Sequence, residues 1–346
     1  MQVRKLNFRE GKQEISAVPK KGEAMGACAT FNEKYLCCRV NVLRSVHNCP
    51  FECTYCFLQN YLNDGTTKVV SDVDALMSEV RSKIAAEPGR LFRIGTWELG
   101  DSLALEAGTG QAASLIKQFS ELGNAVLELK TKSDRLDNIL QVEHKGKTIV
   151  SWSLNTEYIT GTEELGTASL ERRIEAMRKA AGAGYLIGLH FDPMILHEGW
   201  EKGYMLLVKR VFETVPPERV AWISIGSLRF NPEMKRKIEN NYPQSRLTCA
   251  EMVLGDDAKM RYVKPVRVEM YRSLYGEITK YISKENLVYL CMERWDVWDK
   301  VFGYHPESIG HLDYLFAKSL HERYGIGNAP KEEDYLKINM ARGLSL

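Results

Sequence analysis

The sequence of 346 residues has no run of about 18 apolar residues, which excludes a helix long and apolar enough to span a bilayer. Its first residues, Met1 to Asn7, lack the apolar core of a signal peptide, so a soluble cytoplasmic protein with no membrane partner is expected. Cysteine is scarce: eight residues in a chain of this size are too few for a disulfide scaffold. Charge of one sign is lacking as well. The 47 Lys and Arg nearly balance the 45 Asp and Glu, and a net charge of +2 builds no global electrostatic funnel for nucleic acid. That balance neither supports nor excludes nucleic acid as a partner. What is plentiful is hydrophobic residues, 44% of the chain, ample for a large buried core.

Three of the scarce cysteines fall together, in Asn48-Cys49-Pro50-Phe51-Glu52-Cys53-Thr54-Tyr55-Cys56-Phe57. Thiolates at Cys49, Cys53 and Cys56 can hold three irons of a [4Fe-4S] cube and leave the fourth iron open to bind and reduce a substrate. Zinc is the competing reading, with His47 as a fourth ligand. Against it, no second ligand pair follows at a zinc-finger spacing. An iron-sulfur site also suits the reducing compartment that the absence of a disulfide framework implies. Of the remaining cysteines, Cys28, Cys37, Cys38, Cys249 and Cys291 read as small buried hydrophobes, with a second cluster drawn from Cys28, Cys37 and Cys38 as the alternative.

Along the chain, strand and helix patterns alternate. Tyr35 to Leu43 reads as a buried strand entering the cysteine loop, and Ser71 to Val80 opens a helix of about four turns behind Ser and Asp capping candidates. Further strands are expected at Leu91 to Gly95, Ala125 to Thr131, Thr148 to Leu154, Tyr185 to Phe191 and Val220 to Gly226. Helices are expected between them at 110–122, 136–141, 169–181 and 200–214. Six strands separated by helices imply right-handed parallel β-α units. The expected architecture is α/β: a partial (β/α)6 TIM-type barrel at 35–230, an N-terminal extension at 1–34 and a mixed C-terminal cap at 231–346. Within that cap, 234–239 and 268–282 read as helices and 259–267 as a basic stretch, a solvated face or a phosphate contact. Leu290 to Trp298, aromatic and mixed in charge, reads as closing the barrel's open side. Functional residues of such barrels gather at the carboxyl ends of the strands. Those ends carry the three cysteines, then Glu98 and Asp101, Lys130 and Lys132, Asn155 and Glu157, Asp192, and Arg229.

The cysteine motif resembles the signature of the radical S-adenosylmethionine (SAM) superfamily. The resemblance implies that the open iron chelates the methionine end of SAM and that cluster reduction generates a 5'-deoxyadenosyl radical, which takes hydrogen from a substrate. An external low-potential electron donor such as flavodoxin or ferredoxin is implied. From about residue 40 to residue 250 the chain is similar to the spore photoproduct lyase branch, which reverses a thymine dimer lesion in DNA. Cys53 to Gln59, Thr131-Lys132, Ser151 to Tyr158, Glu171 to Ala176, Ala183-Gly184-Tyr185 and His197 to Tyr204 carry that similarity. By position it implies that Lys132 and Ser153 contact the SAM carboxylate and neighbouring polar groups, that Tyr55 lines the adenosyl side, and that Asn155 sits near the ribose. A lysine ammonium neutralises a carboxylate as a point charge, which suits the first of these roles.

The chain departs from that branch where its lyases return a hydrogen atom. They place a donating cysteine just after the second strand and a relaying tyrosine after the third cluster cysteine; here those places hold Glu98 and Phe57. Neither a carboxylate nor a phenyl ring readily gives up a hydrogen atom, so that relay is expected to be absent. Glu98 is expected to hold the SAM amino group or to act as acid or base on the substrate. The lesion-wedging hairpin of the branch is not recognisable between Asp256 and Tyr271. The leading expectation is therefore a radical SAM enzyme with a different, unidentified substrate, with Glu98 and Tyr55 as its catalytic candidates. One alternative is thymine dimer repair with a rewired donor, Cys249 or Cys291. Another, of a different class, is a non-catalytic metal-binding interaction module.

Overall fold

The computed structural model describes residues 8–28, 34–62 and 65–340. The expected extension at 1–34 thus lies outside the described residues at 1–7 and 29–33. Among the described residues the largest sheet has eight strands: β1 (Met25–Ala27), β2 (Asn41–Leu43), β3 (Phe92–Gly95), β4 (Ala125–Thr131), β5 (Thr148–Ser153), β6 (Leu186–Met194), β7 (Val220–Ser227) and β8 (Leu287–Leu290). They are hydrogen-bonded in chain order. Strands β2 to β8 run parallel, and β1 joins the β2 edge antiparallel. Every residue of β3, β5 and β7 is buried, as a parallel sheet covered on both faces requires.

Helices α1 (Val73–Ala86), α2 (Gln111–Phe119), α3 (Leu170–Gly182) and α4 (Trp200–Phe212) fill crossovers between successive parallel strands. Of the two capping candidates, the Asp72 side chain accepts from Ala75 N at 2.8 Å to start α1, and Ser169, expected inside its helix, instead caps α3 by accepting from Arg172 N at 3.4 Å. The helix expected at 136–141 is instead a pair of turns closed by Ile139 N and Leu140 N on the Leu136 carbonyl. Six residues containing Asp137 and Asn138 make too short a stretch to propagate a helix.

A parallel strand lies in each of the six expected segments, although only Asn41–Leu43 of the expected Tyr35–Leu43 strand pairs in the sheet, and β8 adds a seventh from within the segment read as a cap. Four residues beside charged and aromatic neighbours carry too little period to show that they pair with β7. The sheet curls into a half-barrel whose edges, β1 and β8, do not pair among the described residues. The seam is stitched elsewhere: Leu36 bridges antiparallel to Glu293, its N–H donating to the Glu293 carbonyl at 2.9 Å. Helices α5 (Lys264–Ile278) and α6 (Ile309–Tyr324) pack outside β7 and β8. Among the described residues no helix is long and apolar enough to cross a membrane.

One polar hub lies inside the barrel. The Glu128 carboxylate, in the middle of β4, accepts from Ser151 Oγ at 2.7 Å and Trp222 Nε1 at 3.2 Å through Oε1, and from Trp97 Nε1 at 3.0 Å through Oε2. His190 Nε2 stands 2.7 Å from the same Oε1. Gly188 makes room for this arrangement: a Cβ there would fall 2.0 Å from Ser151 Oγ and 3.0 Å from Trp222 Nε1. A buried carboxylate is tolerated only when its acceptors are satisfied in this way.

Candidate active site

The carboxyl ends of the barrel strands open into a cavity of about 520 Å³, within the range of small-molecule sites. Cys49, Cys53 and Cys56 line it together with Tyr55, Glu98, Lys132 and Ser153. Asp101, Lys130, Asp192 and Arg229, from the same series of strand ends, line it too. A second hollow, of about 670 Å³, lies against α5 and shares no residue with the first. Along it Lys264 pairs with Asp296 at 2.6 Å, and Glu201 accepts from Ser273 Oγ at 2.9 Å.

The cysteine loop is held from three sides. Asn48 adopts a left-handed backbone, φ +71°, and its Oδ1 accepts from Cys49 N at 2.9 Å. The two-residue strand Glu52–Cys53 pairs antiparallel with Glu164–Leu165, and Thr54 N donates to the Glu163 carbonyl at 2.9 Å. The Lys12 ammonium donates to the Phe51 carbonyl. Gly100, after β3, approaches so closely that a Cβ there would meet the Asn48 carbonyl at 2.8 Å.

No disulfide engages any of the eight cysteines. Burial pushes the Cys49 thiol well up and Cys53 to about 12, so both keep their protons until a metal displaces them. Tetrahedral zinc, with Zn–S bonds of about 2.3 Å, would draw its sulfurs to within about 3.8 Å of one another. Among the described residues no three His, Cys, Asp or Glu side chains are grouped to hold one ion, and His47 does not line the cavity. Three thiols around one cavity, each free to take its own iron, fit a cube better than a single ion.

Lys132 and Tyr55 share a half-buried network. The Lys132 ammonium lies 5.6 Å from the Tyr55 ring centroid, a cation-π contact. The Tyr55 hydroxyl donates to Glu164 Oε1, and burial with that carboxylate beside it keeps the phenol neutral. Glu164 Oε2 lies 2.6 Å from Arg173 Nη1, both side chains fully buried. Burial opposes the Lys132 charge, while the Glu164 carboxylate beside it favours the ammonium, which is held above its ordinary value. The loop carrying Lys132 is fixed by Asp101, whose Oδ1 accepts from Thr131 Oγ1 at 2.6 Å and Oδ2 from Lys132 N at 2.7 Å.

Asn155 is placed differently from the other named residues. It is buried outside the cavity lining, its Nδ2 donating to Glu164 Oε1 and the Pro193 carbonyl at 3.1 Å each, and its Oδ1 accepting from Tyr204 at 2.6 Å. Glu157 also lies outside the lining, exposed in the first turn of a short helix. Phe57 lines the cavity, its ring 6.1 Å from that of Tyr61. Of the two cysteines named as alternative hydrogen donors, Cys291 lines the cavity, whereas Cys249 is exposed and does not.

Sequence reasoning missed Glu164, Arg173 and a hairpin. Strands at Met252–Leu254 and Met260–Tyr262 pair antiparallel, and the second also pairs with Arg229–Phe230. Lys259, Arg229 and Phe230 of this small sheet line the cavity, while Val253 and Leu254 are exposed. Part of the basic stretch at 259–267 is therefore a hairpin strand, and its remainder opens α5. The signal was the turn Gly255-Asp256-Asp257 directly after the apolar triplet Met252-Val253-Leu254.

Asp192, at the end of β6, faces Arg229 with Oδ1 3.0 Å from Nη1. Burial would raise its carboxyl, but the Arg229 guanidinium and Lys130 outweigh burial and hold it at about 2. A carboxyl lowered on folding contributes stability above its unfolded value, near about 4, and loses it as pH falls toward about 2. Asp192→Asn is expected to lower the melting temperature at neutral pH and to flatten its fall across that acid window. Thermal melts across the window check this, and an acid limb as steep as that of the parent protein contradicts it.

A family model for spore photoproduct lyase matches residues 43–291. The spore photoproduct lyase of Bacillus subtilis (strain 168) is 29% identical over 217 residues, covering 62% of this chain and 62% of that protein. That of Clostridium acetobutylicum is 24% identical over 252 residues, covering 71% of this chain and 75% of its own. Among solved structures, a spore photoproduct lyase variant with bound AdoMet and dinucleoside spore photoproduct shares the fold, with a TM-score of 0.74 at 23% identity. The likeness covers 84% of this chain and 86% of the other.

Proposed function

Because the chain belongs to the spore photoproduct lyase family, within the radical SAM superfamily, we propose that it is a radical SAM enzyme. The observation that carries this is convergence: three cysteines of a cluster motif, a half-buried lysine and a carboxylate meet in one cavity at the carboxyl ends of barrel strands. Cys49, Cys53 and Cys56 would hold a [4Fe-4S] cluster, and Lys132, Glu98, Ser153 and Tyr55 would hold SAM. When bound, these groups supply a carbon radical that abstracts hydrogen from a substrate. The protein's own part is positional. Lys132 presents a fixed positive charge for a carboxylate, Glu98 a carboxylate for an ammonium, and Ser153 a hydroxyl at the end of β5. Tyr55, neutral and tied to Glu164, offers a ring rather than a charge to its neighbour. Asn155 reaches the site through Tyr204, Glu164 and the Pro193 carbonyl and shapes the floor rather than touching a ligand. Electrons come from an external low-potential donor.

The test is anaerobic reconstitution with iron and sulfide, followed by SAM and dithionite. The expected result is the broad visible absorption of the cluster together with 5'-deoxyadenosine and methionine as products. A reconstituted protein that leaves SAM intact contradicts the proposal. Lys132→Ala is expected to raise the KM for SAM by about tenfold to a hundredfold, the effect of losing a charge-assisted contact worth about 1.5–3 kcal/mol. Titration of the initial rate against SAM reads this out. A KM unchanged in that variant would place the carboxylate elsewhere.

A second reading concerns the substrate. The hairpin at 252–262 stands beside the cavity with Val253 and Leu254 exposed, an apolar edge that suits insertion against stacked bases. This favours a DNA photoproduct as substrate despite the changed residues at Glu98 and Phe57. Incubation with dinucleoside spore photoproduct decides it: reversal to the two thymidines supports the reading, and an intact lesion after SAM cleavage removes it.

A further inference from the structure

Four cysteines outside the motif, Cys28, Cys37, Cys38 and Cys291, line the same cavity as the motif cysteines. The barrel seam brings them together. The Leu36–Glu293 bridge sets Cys37 and Cys38, just after one partner, beside Cys291, just before the other. Cys291 N donates to the Ile225 carbonyl at 2.8 Å, which extends β8 by one residue toward the cavity. Cys38 accepts sulfur hydrogen bonds from both Cys291 and Cys37. These two bonds, with the Arg93 guanidinium close by, draw the Cys38 thiol well below its ordinary range, whereas Cys37 and Cys291 keep their protons. Cys291 also touches Arg229, Nη2 to Sγ 3.5 Å, and faces Asp192.

This is a poor metal site. Among the described residues no three ligating side chains are grouped around one point. A cube needs one thiolate on each of its irons, whereas Cys38 is already in contact with two other sulfurs. It is instead a thiol that retains its hydrogen, held against a thiolate, in the wall of a cavity where a carbon radical is to form.

Resting on the radical-enzyme reading above, we propose that Cys291 donates a hydrogen atom to a carbon radical in this cavity and that Cys38 shares the unpaired electron left behind. In the first step the S–H bond of Cys291 breaks and a C–H bond forms, with no change of charge. The direction follows from bond strength, since a thiol S–H bond is weaker than an aliphatic C–H bond. In the second step the Cys291 thiyl and the Cys38 thiolate form a two-centre, three-electron S–S bond. The single negative charge and the single unpaired electron are both conserved.

Two measurements test this. In cluster-free protein, diamide is expected to join Cys38 to Cys291, detected by peptide mapping as a linked pair; separate alkylation of both after diamide overturns the pairing. In reconstituted protein without substrate, SAM and dithionite in D₂O are expected to yield 5'-deoxyadenosine carrying deuterium from the exchanged thiol. Cys291→Ser keeps the size of the side chain, but its O–H bond is too strong to donate, so the label is expected to be lost while 5'-deoxyadenosine still forms. A label that survives in this variant, or that is missing from the parent protein, overturns the proposal alone. Absence of 5'-deoxyadenosine overturns the radical-enzyme reading and this proposal with it.

Discussion

Cys53→Ala is expected to abolish both the visible absorption of the reconstituted protein and the cleavage of SAM, with no measurable residue of either. The effect is large because Cys53 stands between the other two proposed ligands, and a cube with two thiolates would have neither a defined position nor a single open iron. The fold is expected to survive. Cys53 pairs with Glu164 through its backbone, which alanine keeps, and losing one buried sulfur costs about 1 kcal/mol by analogy with a methylene. Unchanged circular dichroism beside a lost spectrum is therefore the expected pair of observations. Retained SAM cleavage in this variant would separate the activity from the motif.

Arg173→Met is expected to destabilise the protein by about 3–5 kcal/mol and to lower its melting temperature by several degrees. Arg173 is wholly buried in α3, and its guanidinium serves four partners. It pairs with Glu164 Oε2 at 2.6 Å and donates to Ser153 O at 3.0 Å, Ala168 O at 2.9 Å and Thr167 Oγ1 at 2.6 Å. Its removal leaves the Glu164 carboxylate buried with only Lys132 to balance it. Glu164 also anchors Tyr55 and pairs with the backbone of Cys53, so cluster incorporation is expected to fall along with stability. In Glu164→Gln/Arg173→Met no buried charge of this pair remains uncompensated, and part of the lost stability is expected to return. Denaturant unfolding of both variants checks this; a double variant no better than the single one contradicts it.

Much of the cavity lining was legible in the sequence because those residues come from short local patterns. The spacing of Cys49, Cys53 and Cys56 is local, and Glu98, Lys132 and Ser153 each follow or end an apolar run that has to be a strand. What was hidden depends on contacts between distant segments. Glu163-Glu164 reads as a solvent-facing acidic pair, and only the fold shows Glu164 buried against Arg173, Tyr55 and Asn155. Asn155 shows the converse: its strand-end position was legible, but the direction of its amide was set by Glu164, Tyr204 and the Pro193 carbonyl. The seventh parallel strand, β8, is only four residues long and pairs with a strand some sixty positions earlier, so no local period marks it. Glu128 did leave a signal, a single carboxylate within the apolar run Ala125 to Leu129, which a buried strand carries only if other side chains satisfy it.

The central claim is that the triad holds a cluster with one iron open to SAM. Electron paramagnetic resonance of the dithionite-reduced protein, recorded with and without SAM, tests it most directly. The account predicts a reduced [4Fe-4S] signal whose g-values shift when SAM binds the open iron. A reduced cluster whose signal does not change at saturating SAM would contradict it.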